Sequence, residues 1–172
     1  NYEFYLKTGP LKNFTKLMGD SIKFWTDIMN HPDYNDWWKA RNPRNFVAVI
    51  KPATLVVGGL FDAEDCFGAW NLYKAIEQKS KNDNRLVEGP WFHGGWVVSD
   101  GTYLGNVRFG KRTAAYYQDS IEIPFFNHYL KGSSNISNLS EATVFFTGEN
   151  NWKHLPQWPP ANAVATNLFL ML

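Results

Sequence analysis

The chain has 172 residues and carries 17 Lys and Arg against 16 Asp and Glu, a net charge of +1. That length suffices for one domain with a proper core, and the balanced charge excludes the basic face of a nucleic-acid binder. There is no run of about 18 apolar residues, so no membrane-spanning helix is predicted, and Cys66, the single cysteine, excludes an internal disulfide.

Residues 1–46 read as helical pieces without a strand. Phe14, Leu17 and Met18 form one apolar stripe, and Ile22, Trp25, Ile28 and Met29 form a second at helical spacing. Pro10, Pro32 and Pro43 punctuate the region. His31–Tyr34 is predicted as a turn and Asn35 to Ala40 as a short helix. The opening residues NYEFYLKTGP lack the basic-then-apolar pattern of a signal peptide.

The first predicted strand is Thr54 to Val57. Its uncharged, β-branched run suits a parallel sheet covered on both faces. Gly58 and Gly59 are read as a tight loop, and Asp62 follows just beyond them. Asp65 to Lys79 is predicted as the best helix, with Cys66, Ala69, Trp70, Tyr73 and Ile76 on its inner face, which makes Cys66 a buried, inert thiol. Arg85 to Glu88 is a second short strand, ended by Gly89-Pro90. Strand, helix and strand of these lengths make a parallel βαβ unit.

Gly89 to about Gly110 reads as a long, Trp- and Gly-rich functional loop. Lys111 to Leu130 is predicted as one long helix, kinked or split at Pro124 and stopped at Gly132. Ser133 to Ser140 is a polar connector. Glu141 to Gly148 alternates as a strand does, Trp158-Pro159-Pro160 opens an extended linker, and Thr166 to Leu172 reads as a final strand. The resulting domains are 1–46, 47–132 and 133–172.

The chemistry gathers at two strand ends. Ligands in such sheets sit beyond the carboxyl ends of the strands. Adjacent parallel strands lie about 4.8 Å apart, so Asp62 after the first strand and His93 after the second can meet. A carboxylate that orients an imidazole is the acid–base half of a nucleophilic triad. Three other readings stand beside this one. Asp62 can be a helix cap, His93 can be an ordinary loop histidine, and Asp62, Glu64, Asp65 and His93 can be considered as metal ligands, although a second histidine at ligand spacing is lacking. His31, His128 and His154 are read as structural or solvated. No serine lies in G-x-S-x-G, and Cys66 sits inside a helix, so either the pair is not catalytic or the serine lies upstream of Asn1. Two parallel strands cannot by themselves make the covered sheet that their composition implies, which favours the second.

The chain is also rich in rings, with 13 Phe, 8 Tyr and 8 Trp. Many of them lie in loops such as YNDWW, GPWFHGGW and WPP. They either cover a core or line a pocket, and a non-catalytic module that binds carbohydrate or peptide is the alternative reading.

GGLFDAEDCFGAWNLYKAIE, RLVEGPWFHGGW, TAAYYQDSIEIPFFNHYLKG, VFFTGENNW and WPP, in that order, resemble the cocaine esterase and X-prolyl dipeptidyl peptidase family. Its glutaryl-7-aminocephalosporanic acid acylase and α-amino acid ester hydrolase branch is the most similar. The resemblance implies the C-terminal part of an α/β-hydrolase fold, with residues 1–46 as a helical lid segment and the Thr166 end leading into a β jelly-roll domain. It implies a serine hydrolase that cleaves esters or amides, without a cofactor, and with Asp62 and His93 as acid and base. The serine elbow and oxyanion hole would lie upstream, in the rest of the parent chain. Family members of the α-amino branch carry two adjacent acids after the tyrosine of HPDYNDWW. Here those positions are Asn35 and Asp36, so one charge is lost, and an ammonium would be held less well. Trp37 is read as pocket wall or core. The implied partners are a small ester, amide or short-peptide substrate, with no nucleic acid or membrane. Exposed sheet edges allow a homo-oligomer. By resemblance the compartment leans towards the periplasm or secretion.

Overall fold

The computed structural model describes residues 2–19, 21–132, 136 and 139–170, and it divides into two units, Asn1–Phe46 and Val47–Leu172. The first unit is helical. It holds α1 (Tyr2–Thr8), a 3₁₀ turn at Leu11–Phe14 that continues into α2 (Thr15–Met18), then α3 (Lys23–Asn30) and α4 (Asp36–Lys39). Aromatic edges knit it together, with Phe14 against Phe4, Tyr5 and Trp25, and the indole of Trp25 donates to Thr15 Oγ1 at 3.1 Å.

The second unit is built on a four-stranded sheet. Its strands are β1 (Thr54–Gly59), β2 (Asn84–Gly89), β5 (Ala142–Phe146) and β6 (Asn151–Leu155), hydrogen-bonded in that order. Between them in sequence come α5 (Cys66–Lys79), α6 (Gly95–Val98), a small hairpin of β3 (Tyr103–Leu104) and β4 (Val107–Arg108), α7 (Thr113–Tyr117) and α8 (Ile123–Lys131). β1, β2 and β5 run parallel and β6 is antiparallel to β5.

Alternate residues of the parallel strands serve two cores, as the two-residue strand period requires. Val56, Leu86 and Ala142 pack with Ala69, Tyr73 and Ile76 of α5. On the other side, Leu55, Val57 and Val87 pack with Ala114 and Tyr117 of α7 and with Ile121 and Phe125. Burying a side chain such as Ile76 contributes about 1.5–3 kcal/mol.

Several expectations change. β1 runs on through Gly58 and Gly59, which pair with Glu88 and Gly89, so the glycines belong to the strand and not to a loop. The predicted loop from Gly89 to Gly110 contains α6 and the β3–β4 hairpin. The long helix is helical throughout from Thr113 to Lys131 and is not split at Pro124. A π-helical turn over Gln118–Glu122 re-registers the hydrogen bonds just before Pro124, which has no N–H to donate. Gly132 closes α8 in the left-handed conformation (φ 67°).

The alternation expected in β5 is not seen. Ala142 to Phe145 are all buried, because both faces of the strand are covered: Ala142 joins the core under α5, and Phe145 packs against Phe109 and Trp152. β6 itself is not among the predicted elements, and it places His154 in the sheet. Thr166–Leu170 forms no strand. Met171 and Leu172 lie outside the described residues, as do Ser133–Asn135, Ser137 and Asn138 of the expected connector. Cys66 opens α5 half-buried and is not the enclosed thiol expected of an inner-face residue. Among the described residues no helix is long and apolar enough to cross a membrane.

Gly59 is required by proximity. A Cβ there would lie 2.4 Å from the carbonyl oxygen of Trp91, and backbone cannot give way as a flexible side chain can. Gly59→Ala is therefore expected to destabilise the unit by about 1–3 kcal/mol. Urea unfolding measures this, and an unchanged midpoint would contradict the close approach.

Candidate active site

Pairing between the first two strands continues past their ends. Leu60 N donates to Gly89 O at 2.8 Å and Phe61 N to Trp91 O at 3.1 Å, while Asp62 N turns back within its own loop to Gly59 O at 3.0 Å. This backbone zipper carries the loop after β1 alongside the loop after β2, and so brings Asp62 to His93.

Asp62 is buried, at 7% exposure, and its two oxygens have separate tasks. Oδ1 accepts from the backbone N–H groups of Glu64 and Asp65 at 2.8 and 3.0 Å. Oδ2 faces His93 Nδ1 at 2.9 Å. Burial pushes the carboxyl up, but the two backbone donors and His93 outweigh it and hold Asp62 below its ordinary value. Asp62 does not cap α5, whose N-cap is Asp65. It ties the turn that precedes the helix.

An ionised carboxylate has no proton to give, so Nδ1 of His93 is the donor in this pair. That fixes the tautomer and leaves the Nε2 lone pair free to take a proton. The imidazole is more than half exposed, while its partner is enclosed. The hydrogen bond and charge of Asp62, with Glu64 adding to them, raise the His93 pKa. Trp91 anchors the loop. Its indole is 2% exposed and donates to Thr113 Oγ1 at 2.9 Å, and that hydroxyl donates onward to Gly101 O at 2.8 Å. Gly94, left-handed at φ 70°, turns the chain directly after His93 into α6.

Among the described residues no serine completes the pair. Ser80 and Ser99 donate to the backbone carbonyls of Ile50 and Gly95, and no hydrogen bond joins a serine to His93 among the described residues. Nor, among the described residues, do three or more His, Cys, Asp or Glu side chains cluster in a way that could hold a metal ion.

The other candidates, Asn35, Asp36 and Trp37, belong to the first unit and cluster there with one another. Asn35 is the N-cap of α4, accepting from Trp37 N at 3.1 Å, and its amide meets His31 Nδ1 at 2.9 Å. Asp36 points into solvent, its side chain 97% exposed, and pairs with Lys39 at 3.0 Å. Trp37 stacks with the His31 ring at 5.0 Å between centroids, and the Arg41 guanidinium lies 3.7 Å from its ring centre. All three therefore have local structural partners.

Sequence reasoning missed Glu88. It lies in β2 opposite Gly58, fully buried, and burial together with the charges of Asp62 and Asp65 pushes its pKa up to about 8. The available signal was a charged residue within the otherwise apolar run RLVEG.

The geometry can be set beside known proteins. Residues 10–95 match the family model described as X-Pro dipeptidyl-peptidase (S15 family). The chain is 23% identical over 158 residues to the cocaine esterase of Rhodococcus sp. (strain MB1 Bresler), a match covering 90% of this chain and 26% of that protein. It is similar to the crystal structure of an aminopeptidase from a marine sediment Thaumarchaeota archaeon, with a TM-score of 0.83 and 31% identity over 92% of this chain. An α-amino acid ester hydrolase labelled with selenomethionine gives the same TM-score, identity and coverage. This chain spans 26% of the length of each of these relatives.

Proposed function

The chain belongs to the X-Pro dipeptidyl-peptidase (S15) family of α/β-hydrolases, and from that premise we propose that it supplies the acid and the base of a serine-hydrolase triad. Asp62 is the acid, His93 is the base, and the nucleophilic serine lies on sequence outside these 172 residues. The observation that carries this reading is the 2.9 Å hydrogen bond from an exposed imidazole to an enclosed carboxylate.

The chemistry follows from the tautomer. As the serine oxygen attacks the substrate carbonyl, His93 Nε2 takes its proton, and Asp62 stabilises the imidazolium. The same proton then passes to the departing alkoxide or amine, leaving an acyl-enzyme. Water attacks the ester in a second round with the roles repeated, and the serine leaves protonated. The relatives named above include an esterase, an ester hydrolase and an aminopeptidase, which supports ester or amide bonds as the substrate class. In this reading residues 1–46 are the helical lid segment, residues 47–132 are hydrolase core, and residues 133–172 lead towards a further β domain. The parent chain is the partner that completes the site.

The alternative, a binding module displaying aromatic loops, is weakened at the GPWFHGGW loop. Trp91 of the GPWFHGGW loop is enclosed by Trp96, Tyr117 and Trp152 and offers no face to a ligand.

A fluorophosphonate probe tests the proposal. The protein should be labelled on one serine, and peptide mapping should place that serine outside residues 1–172. Labelling within these residues, or an esterase activity insensitive to the probe, would overturn it.

A further inference from the structure

Glu88 presents an unusual arrangement. Its side chain is fully enclosed in the parallel sheet, and neither carboxyl oxygen has a hydrogen-bond partner among the described residues. The space it fills is left by small neighbours. A Cβ on Gly58, its register partner, would lie 2.5 Å from Glu88 Oε1 and 2.7 Å from the Cβ of Ala69. On its other side β5 places the apolar Val144 in register. The charges that reach Glu88 come from Asp62, on the loop after β1, and Asp65, at the start of α5. Both are acids, so among the described residues no cation offsets a carboxylate here.

We propose that Glu88 is a positioning residue of the Asp62–His93 site: enclosed in the sheet without a hydrogen-bond partner for either oxygen, it stays a neutral acid and leaves the charge to Asp62, and its own ionisation tightens the hold of His93 on its proton. The inference takes its importance from the catalytic reading above, but it can be tested without it. An enclosed carboxylate without hydrogen-bond donors is strongly disfavoured, and two acids in one neighbourhood do not ionise together. Asp62 has two backbone donors and an imidazole and takes the charge. Glu88 has none of these and keeps the proton, titrating only at about 8. Ionisation of Glu88 then adds a second negative charge behind Asp62, and the proton affinity of His93 rises. By reciprocity, a proton on His93 eases the ionisation of Glu88.

The test is a titration of the protein labelled with ¹³C at histidine Cε1, with the His93 resonance assigned by its loss in His93→Gln. In the wild type the His93 curve should be broadened, with a second inflection near pH 8. In Glu88→Gln it should collapse to a single step with a lower midpoint. Superimposable curves would overturn the proposal. Should the variant fail to fold, the carboxyl carbon of Glu88 in the wild type decides: titration near 8 supports the proposal, and titration near 4.5, the ordinary glutamate value, overturns it. A purely structural Glu88 would alter melting without altering the His93 curve. Neither measurement uses turnover, so this proposal and the hydrolase assignment can fail separately.

Discussion

His93→Ala lowers kcat/KM on a chromogenic ester by about 10⁴-fold or more, with melting close to that of the wild type. The large kinetic effect follows because the proposed mechanism passes the serine proton through this imidazole in both half-reactions. The small effect on melting follows from exposure, since more than half of the His93 side chain is in solvent. The pH profile gives the sign. His93 works as a base only when neutral, and Asp62 raises its pKa, so activity falls as pH drops through that raised value. Its effect on stability has the opposite sense. A histidine whose folded-state pKa is raised stabilises the fold fully below the unfolded value of about 6.5, and this contribution is lost as pH rises through the folded-state value. A variant retaining near wild-type turnover would show that His93 is not the base.

What could be read from the sequence was what local pattern decides. The run TLVV is apolar without a break because β1 is covered on both faces, and it was legible for that reason. The Asp62–His93 meeting was legible from register alone, since two parallel strands of similar length end side by side. Residues whose state depends on a distant partner were not legible. Glu88 looks like a strand end in RLVEG, and only the bare Gly58 across the sheet shows why it can be buried. NWKHL is polar and does not look like a strand, yet it pairs with β5 as β6. Thr166–Leu170 has strand-forming residues but no strand partner, and propensity alone does not make a strand. Asn35 resembled a weakened substrate contact, but its side chain caps α4.

Asp62 combines two roles, and two substitutions separate them. Asp62→Asn keeps the shape. The carboxamide oxygen can still accept from Glu64 N and Asp65 N, so the turn before α5 is retained and stability changes little. That orientation places the amide nitrogen, a donor, against His93 Nδ1. The ring must then accept at Nδ1 and carry its proton on Nε2, where it can no longer take one from a serine. The expected loss in kcat is about 10⁴-fold. The loss of negative charge also lowers the His93 pKa, because Asp62 is its principal cause. Asp62→Ala removes both roles. It leaves two backbone N–H groups without their acceptor, so about 1–3 kcal/mol of stability goes as well as the activity. The pH dependence of stability follows from the depressed pKa. The wild-type contribution of Asp62 is present above its unfolded value and lost as pH falls through the folded one, and both variants lack that acid-dependent step. Chemical denaturation with parallel kinetics on the three proteins resolves the two roles. If Asp62→Asn kept more than about a tenth of wild-type activity, far above the loss expected for a wrong tautomer, Asp62 would be a turn residue that happens to touch a histidine. If Asp62→Ala were as stable as Asp62→Asn, the turn would not depend on Oδ1, and the carboxylate would be there for His93 alone.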